Sequence, residues 1–331
     1  MTDTKLRVPR RDVLLGAAAF ALTSLRPGPA AAAFPEQLIR IVVPFAAGGN
    51  QDIVARALAE QLAKDLGRSV IVENRAGSSG IVGTRSVAMS PPDGYTMVVV
   101  SNTFSRAPAL VPTVGYDPVK DFVQVSVTSR IAEMLVVNPA SGLKSVKDVI
   151  ARAKAKPGEL TFASSGNGSI GHVAAELFMR LAGIKLMHIP YKGNSQAILD
   201  VIGGRVDMMF DHVSTSGPTV VGGQLLALAV TTRTRSGVFP ALPTMEEAGV
   251  PGYEDVTYNG LAVPAGTPRE VVTRLHAAVV KAVSVPELKQ QFGERGIDLV
   301  ASASPDEFAA FIKKDVEDFA TLAREANIKA D

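Results

Sequence analysis

Two stretches of the chain place glycine and small polar residues between a short apolar run and a helical pattern. In the first, residues 41–45 lead into Ala46-Ala47-Gly48-Gly49-Asn50-Gln51-Asp52. In the second, residues 161–163 lead into Ser164-Ser165-Gly166-Asn167-Gly168-Ser169. Such a loop presents backbone N–H groups at the positive end of a helix dipole, a setting that suits an anion. Its glycines let a ligand approach the backbone closely. The hydroxyls of Ser164, Ser165 and Ser169 would add donors. Neither stretch carries Lys or Arg, which favours a small carboxylate held by neutral donors over a polyphosphate. Either loop alone is equally well a capped strand-to-helix turn. Two of them in different halves of the chain favour ligand binding.

The second stretch also contains Gly166-Asn167-Gly168-Ser169-Ile170-Gly171, which matches G-x-G-x-x-G in the strand-to-helix setting of a dinucleotide site. That fingerprint wants an acidic residue about twenty positions on, at the end of the next strand. Here the strand ends at His188-Ile189-Pro190, and no Asp or Glu lies between Glu176 and Asp200. A nicotinamide-dependent enzyme is therefore disfavoured, and no cofactor is expected. The chain also lacks G-x-S-x-G, H-E-x-x-H and G-x-x-x-x-G-K-[ST]. His172, His188, His212 and His276 are scattered without metal-ligand spacing. Of these, His172 follows the second loop closely enough to line a site. Asp211, at the end of an apolar run, would emerge at the ligand-facing edge of an α/β sheet and could hold a ligand ammonium or hydroxyl, or simply cap a loop. Lys192, in Tyr191-Lys192-Gly193-Asn194, reads as a solvated side chain.

The elements that must position these loops alternate. Strands are predicted at 39–43, 70–73, 95–100, 134–137, 160–163, 186–189, 206–210 and 225–230. Helices are predicted at 52–66, 82–89, 146–155, 172–181, 196–202, 268–283, 286–295 and 305–327. Val54, Leu58, Leu62 and Leu66 recur every fourth residue in the first helix. Ser304-Pro305 with Asp306 and Glu307 marks the start of the last. Strands alternating with helices predict parallel sheets covered by helices. With 331 residues, two lobes are expected rather than one core.

The first 33 residues read differently. Lys5, Arg7, Arg10 and Arg11 precede an apolar run at 13–25, then Pro27-Gly28-Pro29 and a small-residue stretch, Ala30 to Ala33. This order is that of an export signal cleaved near Ala33. The Arg10-Arg11 pair ahead of an Ala-rich core favours the twin-arginine route over an ordinary Sec signal. The signal carries five basic and two acidic residues, a net +3; the whole chain is +2, which leaves the remainder near −1. The basic character thus belongs to the signal and argues against a nucleic-acid partner. With no cysteine, disulfides and thiolate metal sites are excluded.

Across nearly the whole chain after the signal, the sequence resembles the substrate-binding receptors of tripartite tricarboxylate transporters, also called Bug-type receptors. The matching segments are IRIVVPFAAGGNQDIVAR (39–56), VIVENRAGSSGIVGT (70–84), SPPDGYTMVV (90–99) and YDPVKDF (116–122). They continue with SVKDVIARAKAKPGELTFASSGNGSIGHVAAELF (145–178), HIPYKGNSQAILDVIGGRVDMMFD (188–211), LLALAVTT (225–232), LPTMEEAGVPGYE (242–254) and VPAGTP (263–268).

The resemblance implies an α/β, two-lobed periplasmic-binding-protein type II fold, with two crossing strands as a hinge near 126–136 and 253–263. The expected division is a first lobe at 34–130, a second at 131–253, and a return to the first at 254–331. The implied function is capture of a mono- or dicarboxylate for membrane transporter subunits, by a monomeric periplasmic protein that is not an enzyme. A ligand-sensing partner of a membrane signalling protein would use the same pocket. Carried over residue by residue, the resemblance names Phe45, Ala47, Gly48, Gly49, Asn50 and Asp52 on one side of the ligand. On the other it names Ser164, Ser165, Asn167, Gly168, Ser169 and His172, with Asp211. The chain departs from the family's common pattern at Ala76, where Pro is frequent, at His212, where Asn is frequent, and at Tyr258, where Trp is frequent. The last two fall where the far end of a ligand would lie.

Overall fold

The structure, a computed structural model, describes residues 34–45, 47–111, 113–191 and 193–326, together with Thr2 and Ile328. Apart from Thr2, the export-signal reading of residues 1–33 lies outside the described residues. Among the described residues no helix is long and apolar enough to cross a membrane.

The run IRIVV forms β1 (Ile39–Val43). Helix α1 (Asn50–Leu66) buries Val54, Leu58, Leu62 and Leu66, the fourfold spacing seen in the sequence. It ends where Gly67 takes a left-handed φ of 65° and returns its N–H to Ala63, a conformation that favours glycine. The chain continues through β2 (Val70–Asn74), α2 (Ile81–Ala88), β3 (Thr96–Ser101), α3 (Asn102–Leu110) and β4 (Phe122–Ile131). Then come β5 (Glu133–Val137), α4 (Val146–Ala155), β6 (Thr161–Ser164), α5 (Ile170–Ala182), β7 (Met187–Pro190), α6 (Asn194–Ile202), β8 (Met208–His212), α7 (Val213–Val221) and β9 (Leu226–Val230). The last elements are β10 (Thr257–Pro264), α8 (Arg269–Val283), α9 (Pro286–Gly293), β11 (Ile297–Leu299) and α10 (Pro305–Glu325).

These strands build two sheets. One has six strands in the order β11-β4-β10-β3-β1-β2, the other five in the order β7-β6-β8-β5-β9. Each has its own core: Phe162, Phe178, Phe210 and Tyr253 anchor the five-stranded sheet, and Phe104, Phe122, Tyr258 and Phe308 the six-stranded one. The chain passes between the sheets at Ala132 and again between β9 and β10. Burying both sets of aromatic rings separately is what makes the protein two-lobed.

The sheets are mixed, where strand–helix alternation predicts parallel ones. β10 runs antiparallel to both β3 and β4, and β5 antiparallel to β8 and β9. The reversal follows from connectivity: strands that enter a sheet from the other lobe need no crossover helix and can run against their neighbours. β10 is buried along its whole length, and at Gly260 a Cβ would lie 2.4 Å from the Phe308 ring and 2.8 Å from the Ser126 carbonyl. Two helices, α3 and α7, escape the sequence reading because Pro108 and Pro218 lie inside them. In α3 the carbonyl that Pro108 cannot serve, that of Phe104, accepts the Tyr116 hydroxyl at 3.0 Å instead.

Candidate functional site

The carboxyl ends of β1, β2 and β3 in one sheet, and of β6, β7 and β8 in the other, open on one cavity of about 610 Å³. Crevices at such strand ends are where open α/β sheets bind ligands. From the six-stranded side come Phe45 after β1, Ser78 and Ser79 after β2, and Asn102, Thr103 and Arg106 of α3. From the other come residues 165–171 after β6, Asn194 after β7, and Phe210, Asp211 and His212 of β8; Glu133, the first residue of β5, joins them. The starts of α2, α3, α5, α6 and α7 therefore converge on one space, and their N-terminal dipoles make it favourable for negative charge.

Of the residues named by sequence, Phe45, Ser165, Asn167, Gly168, Ser169 and Asp211 line the cavity. Ser165 and Ser169 offer hydroxyls with no hydrogen bond among the described residues, and the Ser169 Oγ is buried. Gly166 and Gly168 take φ values of 124° and 71°, a left-handed path that requires glycine. The third glycine of the dinucleotide-like pattern has a packing cause: a Cβ on Gly171 would lie 2.5 Å from the Phe210 carbonyl.

Ala47, Gly48, Gly49, Asn50 and Asp52 do not line the cavity. Asp52 is buried and accepts the Gly48 N–H at 2.9 Å, Asn74 Nδ2 at 2.9 Å and Arg56 Nε at 3.1 Å. Asn74 Nδ2 also donates to the Phe45 carbonyl at 3.1 Å. Burial would raise the Asp52 pKa, but the hydrogen bonds from Arg56, Gly48 and Asn74 outweigh it and hold the group below the ordinary aspartate value. Gly49 caps α1 through its backbone. The first loop thus carries its own carboxylate, and what it turns to the cavity is Phe45.

Ser164 and His172 stand outside the lining and hold the loop that forms it. Ser164 Oγ pairs with His188 Nε2 at 2.6 Å and donates to the Gly166 carbonyl at 3.0 Å. His172 Nδ1 accepts the Gly168 N–H at 2.9 Å. Asp211 lies within β8 rather than in a loop, because the strand runs two residues beyond the predicted end. Its carboxylate accepts Asn194 Nδ2 at 2.5 Å, Thr215 Oγ1 at 2.6 Å and Ser216 Oγ, so it fixes Asn194 at the cavity wall.

The sequence reading misses several lining residues. Ser78 and Ser79 take φ of 46° and 53°, left-handed values that cost a non-glycine residue about 1–2 kcal/mol each. Both line the cavity with hydroxyls that make no hydrogen bond among the described residues. The Gly/Ser composition of this loop is the signal that could find them. Arg106 and Glu133 have no local signal. Arg106 Nη2 pairs with Asp255 at 3.2 Å and Asp315 at 3.4 Å. Burial would lower its pKa, and the carboxylates of Asp315 and Asp255 overcome this and keep it charged. Burial, then the neighbouring Asp255, push the Glu133 carboxyl well above its ordinary value, against the pull of Arg106. Its Oε1 accepts Thr257 Oγ1 at 3.3 Å, and Thr257 also contacts His212 Nε2 at 2.8 Å. Burial lowers the His212 pKa, opposed by Asp211. Among the described residues Arg106 is the one cation of the lining; its Nη2 pairs with two carboxylates, while its Nε and Nη1 are buried without a hydrogen-bond partner. Among the described residues no cluster of three or more His, Asp or Glu could hold a metal ion.

Residues 54–328 match the family model described as the tripartite tricarboxylate transporter family receptor. This chain belongs to that family. It is 36% identical over 98% of its length to a protein encoded in the tcbD–tcbE intergenic region of a Pseudomonas species, covering 96% of that relative. It is 35% identical to Bordetella pertussis BugT, over 89% of this chain and 91% of the other. Among solved structures, an R. palustris protein with adipate superposes with a TM-score of 0.74 at 34% identity, over 90% of this chain and all of that one. Rhodopseudomonas palustris MatC with bound malate gives 0.70 at 29%, over 87% and 99%. Proteins of this family are substrate-binding receptors, not enzymes, and the two-lobed α/β fold of this chain is theirs.

Proposed function

We propose that this receptor captures a small mono- or dicarboxylate in the periplasm and delivers it to the membrane subunits of a tripartite transporter. One observation carries the reading. Helix starts from both lobes converge on a cavity where, among the described residues, the hydroxyls of Ser78, Ser79, Ser165 and Ser169 have no partner and the one cation of the lining, Arg106, pairs with carboxylates through Nη2 only. Neutral donors and helix dipoles favour a compact anion, and the charge of Arg106, partly offset by Asp255 and Asp315, adds to them. The malate and adipate of the related structures fit this chemistry, and about 610 Å³ is in the ordinary range for a small-molecule site. In this reading the ligand carboxylate lies between Ser78-Ser79 and residues 165–169, and Asn194, His212 and Glu133 face its far end. The basic head and Ala30–Ala33 stretch support export by the twin-arginine route with cleavage near Ala33.

A thermal-shift screen of the cleaved protein against carboxylic acids tests the reading. A ligand at 100 times its Kd should add about 2.7 kcal/mol of apparent stability. No shift with any C3–C8 mono- or dicarboxylate would refute it.

A further inference from the structure

His172 does not line the cavity, yet it is tied to the loop that does. The Gly168 N–H donates to its Nδ1 at 2.9 Å. That bond requires Nδ1 to carry a lone pair, so the ring is neutral with its proton on Nε2, which faces Glu176 Oε1 at 3.4 Å. The ring lies flat on His188, with centroids 4.0 Å apart and planes within 9°, and His188 in turn stacks on Phe162 at 4.7 Å. His188 reaches the same loop through Ser164, whose Oγ contacts both the N–H and the carbonyl of Gly166. Two stacked imidazoles therefore grip the loop at Gly166 and at Gly168. The grip matters for the cavity because Gly168 faces Leu110 of α3 from the other lobe, so closely that a Cβ would lie 2.7 Å from Leu110 Cδ1.

We propose that His172 is a positioning residue of the carboxylate site: its neutral Nδ1 holds Gly168 in place, and adding a proton there frees Gly168 and weakens ligand binding. The proton would land on the lone pair that Gly168 now uses, turning an acceptor into a second donor facing a donor. Binding would therefore weaken when the ring gains that proton, that is, as the pH drops. The titratable groups in contact with the ring are Glu176 on its own helix and His188 on β7; Phe162 of β6 is uncharged. This inference rests on the carboxylate reading of the cavity.

The test has two arms. In the first, the Gly168 amide of the 15N-labelled protein is followed by NMR from pH 8 to pH 5, together with the His172 ring. In wild type the two should move together. In His172→Asn, whose Oδ1 can accept the same N–H but takes up no proton in this range, the Gly168 amide should stay put. In the second arm, malate and adipate are titrated by calorimetry at pH 7.5 and 5.5. Wild type should lose about 5- to 10-fold more affinity than His172→Asn between the two pH values, a comparison that cancels the titration of the ligands themselves and of His212. His172→Ala should be about 10-fold weaker at pH 7.5, the loss of one hydrogen bond. A Gly168 amide that ignores the His172 titration overturns the proposal, as does a pH dependence of affinity shared by wild type and His172→Asn. If neither anion binds wild type at either pH, the carboxylate reading fails, and the amide titration alone decides the His172 contact.

Discussion

The loops after β1 and β6 share a sequence grammar and differ in what they do with it. Both follow a buried strand, both use glycine in left-handed backbone, and both open a helix. The first contains Asp52, whose carboxylate takes the Gly48 N–H and is tied to Asn74 and Arg56. The second has no acidic residue. Its Gly168 N–H goes to an imidazole from behind, its Ser165 lines the cavity, and its Ser169 Oγ is buried without a partner among the described residues. A glycine-rich helix start that carries its own carboxylate is already neutralised. One that lacks it remains open to a carboxylate from outside.

The sharpest way to break this comparison is a matched pair of glycine substitutions. Gly168→Val places a branched side chain at φ 71° and against Leu110, and should cost about 100-fold or more in malate or adipate affinity. Gly48→Val meets the same kind of backbone penalty at φ 88°, but its Cβ would have nothing within 4 Å. It should cost about 1–2 kcal/mol of stability and leave affinity within about threefold. Calorimetry and denaturant melts on both variants check this, and equal losses of affinity would erase the distinction between the loops.

A milder probe is Ser169→Ala. The Oγ is buried with no partner among the described residues, so its loss should not weaken the fold, but it should weaken carboxylate binding about 10-fold if the hydroxyl meets the ligand charge. Unchanged affinity would move the ligand away from the start of α5.

The smallest expected effect on binding is that of Asp52→Asn. Stability at pH 7 should fall by about 2 kcal/mol, the worth of hydrogen bonds to a buried charge, with affinity unchanged. The pH dependence follows from the lowered folded-state value. Asp52 adds its full stability above the unfolded value near 3.8, and loses it as the pH falls through the lower folded one. Thermal melts of wild type and of the Asp52→Asn variant should therefore differ at neutral pH and converge in acid, once this carboxylate is protonated in the folded as well as the unfolded state.

Much of the architecture was legible because it rests on local patterns. Helix α4 spans the predicted residues, with Ser145 capping the Asp148 N–H. β1 is apolar and buried at four of its five positions, with Arg40 the exception. α3 and α7 were not legible, since a proline inside each masks the helical pattern while tertiary contacts such as Tyr116–Phe104 supply the missing partner. In the site, the Gly/Ser loops announced themselves by composition. Arg106 and Glu133 did not, because their partners Asp255, Asp315 and Thr257 lie more than a hundred residues away.

By itself, the sequence determined the segments with clear local patterns, such as α1 and α4, and that glycine loops would open several of the helices. Those outcomes follow from side-chain periodicity and backbone freedom, which act over a few residues. Only the tertiary structure decided which loops face the cavity, that Asp52 closes one of them, that His172 and His188 brace another, and that Glu133 is buried beside Asp255. Those outcomes depend on distances between residues remote in the chain. Hydrogen bonding and charge interaction fall off within a few ångströms, so composition and spacing alone carry no record of them.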